Sequence, residues 1–217
     1  MHGAGCTPDV FDAQAGAFDA IAPDLHALAP DATSVAEYAR ALRPLLDALE
    51  RPFVLAGSSM GAAVALEIAI EGHARLRALA MLGCAPKLRV APHLFERMSA
   101  DFDGFAGELP HALFARRDAA RDAAATEMIR RVGAARTLAD FRACDAWDLG
   151  ERGSAVVVPA AVLTGEADVM TPVKFGTLLA DRIPGAALRI LPGAGHLAML
   201  EDPAETNAVL RTFVTAS

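Results

Sequence analysis

Cysteine is scarce in this chain: Cys6, Cys84 and Cys144 are the only three in 217 residues. An odd, widely spaced set excludes a disulfide framework, and none of the spacings suits a metal site. Free thiols in a reducing cytoplasm are therefore expected. Long apolar runs are also lacking. No window of 18 residues is both apolar and uncharged, and the first residues do not pair a basic stretch with an apolar one, which argues against a membrane span and a secretory signal. Charge of one sign never accumulates. Lys plus Arg number 20 and Asp plus Glu 27, a net charge of −7 without long blocks, so no nucleic-acid surface is expected. Repeats and low-complexity linkers are missing too. What is abundant is hydrophobic residue, 53% of the chain, ample for the core of one domain carrying an inserted subdomain.

The stretch Gly57-Ser58-Ser59-Met60-Gly61 stands out. Before it lies a short apolar run, Pro52 to Ala56, of strand length; after it, Ala62 to Ile70 holds one charge in nine residues and reads as an Ala-rich buried helix. Strand, sharp turn, helix is the setting that G-x-S-x-G requires, with small residues flanking a serine that projects from the turn. A chain of this composition should contain the pattern by chance about 0.04 times, so an ordinary Gly-Ser turn is the weaker reading.

Along the chain, the opening Met1-His2-Gly3-Ala4-Gly5-Cys6 is a Gly-rich loop, followed by Thr7-Pro8, which has the form of a helix start. Exposed N–H groups in such a loop can stabilise a developing oxyanion. Phe18 to Pro23 reads as a short strand and residues 24–33 as a loop. Ser34-Val35-Ala36-Glu37 then makes a capping box, and Val35, Tyr38, Ala39, Leu42, Leu45, Leu46 and Leu49 recur at helical spacing. A further strand is expected over Leu76 to Leu82. Alternating strands and helices predict an α/β fold, a mainly parallel sheet covered by helices on both faces.

The alternation stops from Ala85 to about Val158, where the pattern is helical throughout. It carries Phe95, Met98, Phe102, Phe105, Leu109, Leu113 and Phe114, then Met128, Ile129 and Val132, then Leu138 and Phe141. Such an insertion reads as a lid, residues 85–158, over the sheet edge where ligands of open α/β sheets bind, leaving 1–84 and 159–217 as the core. Most of its aromatics are expected simply to pack the lid onto the body. Strands resume at Ala160 to Thr164, followed by Gly165-Glu166-Ala167-Asp168, and at Ala187 to Leu191, followed by Pro192-Gly193-Ala194-Gly195-His196. Asp202-Pro203-Ala204-Glu205 opens the last helix.

Ser59, Asp168 and His196 thus stand in loops after parallel strands, and those strand ends share one edge of the sheet. A serine hydroxyl needs an imidazole to accept its proton, and the imidazole needs a carboxylate to fix its tautomer and stabilise its cation. Glu166 is the rival acid. His26, His73, His93 and His111 lie in a loop, past the elbow helix and in the inserted segment, with no carboxylate in a comparable position.

At these residues the chain resembles the α/β-hydrolases of the lidded esterase, enol-lactonase and C–C-hydrolase type, over nearly its whole length. The resemblance rests on His2-Gly3-Ala4-Gly5, Gly57 to Gly61, Gly165 to Pro172 and Gly193 to His196. It implies Ser59 as nucleophile, His196 as general base and acid, Asp168 as its orienting partner, and an oxyanion hole made by the backbone N–H groups of Ala4 and Met60. It implies a structural part for the His2 side chain and neither a metal nor an organic cofactor. The expected function is a serine hydrolase that cleaves a small ester, lactone or thioester through an acyl-enzyme. A C–C hydrolase or cofactor-free perhydrolase would use the same triad, and a silent ligand-binding relative would keep the fold without turnover. The apolar lid, with Trp147 nearby, suggests a substrate with an apolar acyl or aryl group of modest size; Arg116 and Arg117 read as an exposed helix face. In two respects the chain departs from the family. Residues 24–28 lack a Gly-rich basic turn, and the oxyanion loop begins at residue 2, so the sheet is expected to lack its N-terminal strands. A start further upstream would explain that lack, and an exposed strand edge would favour a homodimer.

Overall fold

The computed structural model describes residues 1–214. After a 3₁₀ turn, Pro8–Phe11, come α1 (Asp12–Phe18), α2 (Leu25–Leu28) and α3 (Val35–Ala48); then β1 (Phe53–Ser58), α4 (Met60–Glu71) and β2 (Leu76–Leu82). Five helices follow without a strand: α5 (Pro92–Ala100), α6 (Phe102–Glu108), α7 (Pro110–Leu113), α8 (Ala119–Val132) and α9 (Ala134–Ala146). The chain closes with β3 (Ala160–Gly165), α10 (Val173–Asp181), β4 (Ala187–Leu191), α11 (Ala198–Glu201) and α12 (Pro203–Val214). The four strands form one parallel sheet in the order β1-β2-β3-β4. Ser58 pairs with Leu82 and Gly165 with Leu191, so the loops after these strands gather at one edge.

Period-two alternation sorts the strand side chains onto two faces. Leu79, Met81, Ala160 and Val162 join a core with α3, α4 and Leu179 of α10. Their neighbours Ala80, Leu82, Ala161 and Leu163 join a second core with Phe11, Leu210 of α12 and the inserted helices. Every residue of β3 is buried, as a strand covered on both faces must be.

Helix starts follow local chemistry. The capping box forms: Ser34 Oγ accepts from Glu37 N at 3.3 Å while Glu37 Oε2 accepts from Ser34 N at 3.0 Å. The stripe behind it, Val35, Tyr38, Ala39, Leu42 and Leu46, is buried. Asp202 Oδ1 likewise accepts from Glu205 N at 3.0 Å at the start of α12.

Three expectations fail. The strand expected at Phe18 to Pro23 does not form; α1 ends at Phe18, Asp19 turns left-handed (φ 49°), and Ile21 is 66% exposed. A short run interrupted by Asp19 does not distinguish strand from loop by itself; it lines a groove with β1 but forms no ladder with it. The loop expected over residues 24–33 contains α2, because Asp24 Oδ1 caps its His26 and Ala27 N–H groups. Thr7, in turn, makes no side-chain cap bond, and the turn after it is 3₁₀.

Candidate active site

Ser59 occupies a left-handed backbone conformation, φ 53° and ψ −115°, which costs a non-glycine residue on the order of 1–3 kcal/mol. The surroundings enforce it. Ser59 N–H makes a strand-type bond to Leu82 O at 2.9 Å, while its own carbonyl already accepts from Ala62 and Ala63 at 3.0 and 3.1 Å. One residue therefore ends β1 and caps α4. The crossing is tight: a Cβ on Gly57 would strike the Gly61 carbonyl, and one on Gly61 would strike the carbonyls of Met1 and His2. Behind the turn, Met60 through Ala69 of α4 are buried. Among the described residues the Ser59 hydroxyl makes no hydrogen bond.

Asp168 and His196 meet. His196 Nδ1 lies 2.9 Å from Asp168 Oδ2, so the ring proton sits on Nδ1 and Nε2 is left as the basic nitrogen. The same Oδ2 accepts from the Thr171 hydroxyl at 2.7 Å, and Oδ1 accepts from the Met170 and Thr171 N–H groups, each at 2.8 Å. Asp168 is both an Asx turn and a partner for the imidazole, one oxygen serving each. Burial pushes its carboxyl up, yet the His196 charge and hydrogen bond and the two Thr171 bonds outweigh burial and hold it below the ordinary carboxylate range. The rival Glu166 is exposed and accepts from Gly193 N at 2.9 Å. It has no contact with the imidazole. In the sequence Thr171, standing before Pro172, has only the form of a helix start, and Glu201 carries no signal. Its buried carboxylate bonds the N–H groups of Gly195 and Arg116, at 2.5 and 3.0 Å, steadying the loop that carries His196.

Met1 runs along β1, donating to Ala56 O at 2.7 Å and accepting from Ser58 N at 3.1 Å. The Gly-rich loop therefore starts beside the elbow. His2 is fully buried, with Nδ1 3.0 Å from Gly3 O and Nε2 accepting from Leu25 N at 3.0 Å. These partners define a neutral ring protonated at Nδ1, and desolvation lowers its pKa to about 4. Its part is structural. Among the described residues the N–H groups of Ala4 and Met60 have no acceptor, so both remain available to a ligand. His2, Asp24 and His26 lie within metal-ligand distance of one another, but His2 has spent its lone pair on Leu25, and two ligands do not hold an ion.

Two other histidines have carboxylate neighbours, but on helices rather than in a loop after a strand. His26 Nε2 lies 2.8 Å from Asp140 Oδ2, and His73 Nε2 lies 3.2 Å from Asp47 Oδ1. Neither ring lines the cavity described next.

Ser59 and His196 open onto a common cavity of about 360 Å³, lined also by Ala4, Leu88, Leu109, Leu113, Phe141, Met170, Phe175 and Leu178, with Lys87, Arg89 and Arg182 among its cationic residues. Most of the inserted aromatics pack instead, as Phe105 and Phe114 do. Trp147 does not reach the cavity; its Nε1 donates to Glu67 Oε1 of α4 at 2.7 Å. Arg116 and Arg117 are exposed but stand between α7 and α8, not on a helix. Cys6 and Cys144 also line the cavity. Burial raises both thiols, Cys6 to about 12, so neither is a thiolate near neutral pH and Ser59 is the better nucleophile candidate.

A model of the alpha/beta hydrolase family matches residues 1–209. The provisionally named carbamate hydrolase RutD of Klebsiella pneumoniae is 26% identical over 178 residues, which are 76% of this chain and 66% of that protein. The match thus spans just under two thirds of the relative's length. Among solved structures, Est816, an N-acyl homoserine lactone degrading enzyme, superposes with a TM-score of 0.85 at 25% identity, covering 98% of this chain and 91% of that one. A thermophilic esterase superposes with a TM-score of 0.86 at 26% identity, covering 99% and 88%.

Proposed function

The chain belongs to the alpha/beta hydrolase family, and we propose that within this family of hydrolytic enzymes it is a serine hydrolase of small carboxylic esters or lactones with an apolar acyl group, working through an acyl-enzyme. One observation carries the reading: an imidazole oriented by a buried carboxylate opens onto the same cavity as a serine held in a left-handed elbow. The esterase and lactonase likenesses support the bond type. An apolar cavity of about 360 Å³ supports a modest acyl group, and residues 85–158 act as its lid.

In this mechanism Ser59 Oγ attacks the carbonyl carbon while its proton passes to His196 Nε2. The carbonyl oxygen, now negative, is held by the N–H groups of Ala4 and Met60. His196 then gives the proton to the departing oxygen, leaving Ser59 acylated. Water attacks the acyl carbon as His196 takes its proton, and the proton returns to Ser59 Oγ as the acid leaves. Asp168 holds the tautomer and stabilises the imidazolium between these transfers. Three buried thiols fit a reducing compartment, and we assign the protein to the cytoplasm.

The test is the intact mass after treatment with a fluorophosphonate. One adduct per chain is expected on the parent and none on Ser59→Ala, with hydrolysis of 4-nitrophenyl acetate by the variant lower by several orders of magnitude. A folded parent that takes up no adduct, or a Ser59→Ala variant of full activity, overturns the reading.

A further inference from the structure

One buried carboxylate has no place in the chemistry above. Asp140, on α9, is completely buried, and its two oxygens accept four hydrogen bonds. Oδ1 receives the Tyr38 hydroxyl at 2.6 Å and Arg136 Nε at 3.1 Å. Oδ2 receives His26 Nε2 at 2.8 Å and the backbone N–H of Gly5 at 3.0 Å. A buried carboxylate without partners is expensive, whereas this one is fully satisfied. Burial pushes its carboxyl up, but the bonds from His26, Gly5 and Tyr38 hold it below the ordinary range, so the anion persists at neutral pH.

The Gly5 bond is the informative one. Cys6 N donates to Gly3 O at 3.2 Å, closing a turn with Ala4 and Gly5 in its centre. Gly5 has φ +64° and Ala4 is not left-handed, which makes this a type II turn. The central peptide of a type II turn is the one that can flip, and its N–H belongs to Gly5. Asp140 holds that N–H. Thr137, one helical turn earlier on α9, closes the other side: a methyl built on Gly5 would lie 3.1 Å from Thr137 Cγ2. The loop that presents Ala4 N–H is thus pinned by the inserted helices, not by the sheet alone.

We propose that Asp140 is a positioning residue: through Gly5 it sets the turn that aims the Ala4 N–H at the oxyanion, so that α9 of the inserted segment is part of the catalytic apparatus. This rests on the serine-hydrolase reading for its consequence, but not for its geometry. His26 and Tyr38 tie the same carboxylate to α2 and α3, while Arg136, four residues before it on α9, also donates to the carbonyls of Pro30 and Ala32 at 2.9 and 2.5 Å. Displacing α9 would therefore release the oxyanion loop.

The experiment compares the parent, Asp140→Ala, Asp140→Asn and Ser34→Ala, the last a destabilised control remote from the cavity. In Asp140→Ala the Gly5 amide should exchange at least tenfold faster by NMR, with kcat for 4-nitrophenyl acetate lower by about ten- to a hundredfold and KM changed less than about threefold. Asp140→Asn keeps one acceptor oxygen for Gly5 and should recover most of the loss. Ser34→Ala should keep kcat within about twofold. Should Asp140→Ala fail to fold, the parent still decides, because its Gly5 amide should exchange at least tenfold more slowly than that of Ala4. The proposal is overturned if Gly5 is no better protected than Ala4, if its exchange is unchanged in Asp140→Ala, or if a folded Asp140→Ala keeps kcat. A parent that neither turns over nor takes the fluorophosphonate sinks the hydrolase reading instead, and Gly5 exchange alone then decides whether Asp140 holds the loop.

Discussion

Single residues here carry several constraints at once. His2 donates to Gly3 O and accepts from Leu25 N, and the second bond requires the neutral ring. Its folded pKa of about 4 lies below the unfolded value near 6.5. Between those values the unfolded chain binds the extra proton, so stability is full above about pH 6.5 and falls as the pH drops toward 4, by about 3 kcal/mol in all. Asp140 and Asp168, held below the ordinary carboxylate range, add losses of the same sign at still lower pH. Urea unfolding at a series of pH values should therefore show the parent losing stability between pH 6.5 and 4, with a shallower loss in His2→Gln. Equal slopes in the two proteins would overturn the assignment. Gly61 is under the same kind of double duty, since a methyl there meets the carbonyls of Met1 and His2. Gly61→Ala should push the oxyanion loop away from the elbow, and its turnover should fall further than its stability.

At the scale of elements, the helices differ in what defines them. Helix α3 is specified locally, by the Ser34 and Glu37 capping box and a stripe of buried residues on one side. Ser34→Ala should lower stability by about 1 kcal/mol, seen as a drop in Tm of about 2–4 °C with activity retained. Helix α4 is specified by burial. Its apolar residues surround it, and its one buried acid, Glu67, is satisfied by Trp147 Nε1 and by a forked pair from Arg152 at 2.7 and 2.8 Å. That cluster anchors the end of the inserted segment to the helix behind the serine. Together with the bond from Gly5 N to Asp140 of α9, it holds the segment to the core on two sides.

At the scale of the molecule, β1 is an edge strand among the described residues. Met1 covers its end at Ala56 and Ser58. The rest faces a groove of about 770 Å³ lined by Phe18, Ile21, Leu45, Leu49, Phe53 and Leu55 among others. An apolar groove beside unpaired strand groups favours self-association. Sedimentation velocity on residues 1–217 should accordingly give a dimer or higher species. A stable, soluble monomer would count against a homodimer built on this edge.

What could be read in advance is what neighbours in sequence determine. The elbow, the capping box, the strands read at 52–56, 76–82 and 160–164, and the loops bearing Asp168 and His196 all rest on patterns of five to ten residues, because turn sterics, caps and side-chain alternation act over that range. The choice of Asp168 over Glu166 rests on family resemblance; in the fold Asp168 Oδ2 lies 2.9 Å from His196 Nδ1, whereas Glu166 bonds Gly193 N of the same loop. The short run at Phe18 to Pro23 is no strand because a strand needs a paired neighbour, and pairing is not a local property. Asp140 was unreadable for a related reason. Its partners Gly5, His26 and Tyr38 are 135, 114 and 102 residues away, and nothing in an Ala-rich helix marks one acid as the buried one. The sequence by itself determined the fold class and the three polar residues of the candidate site. Which charges are buried, and what holds the oxyanion loop, was decided only when the tertiary structure excluded water from α9 and left each buried polar group to find its partner within the protein.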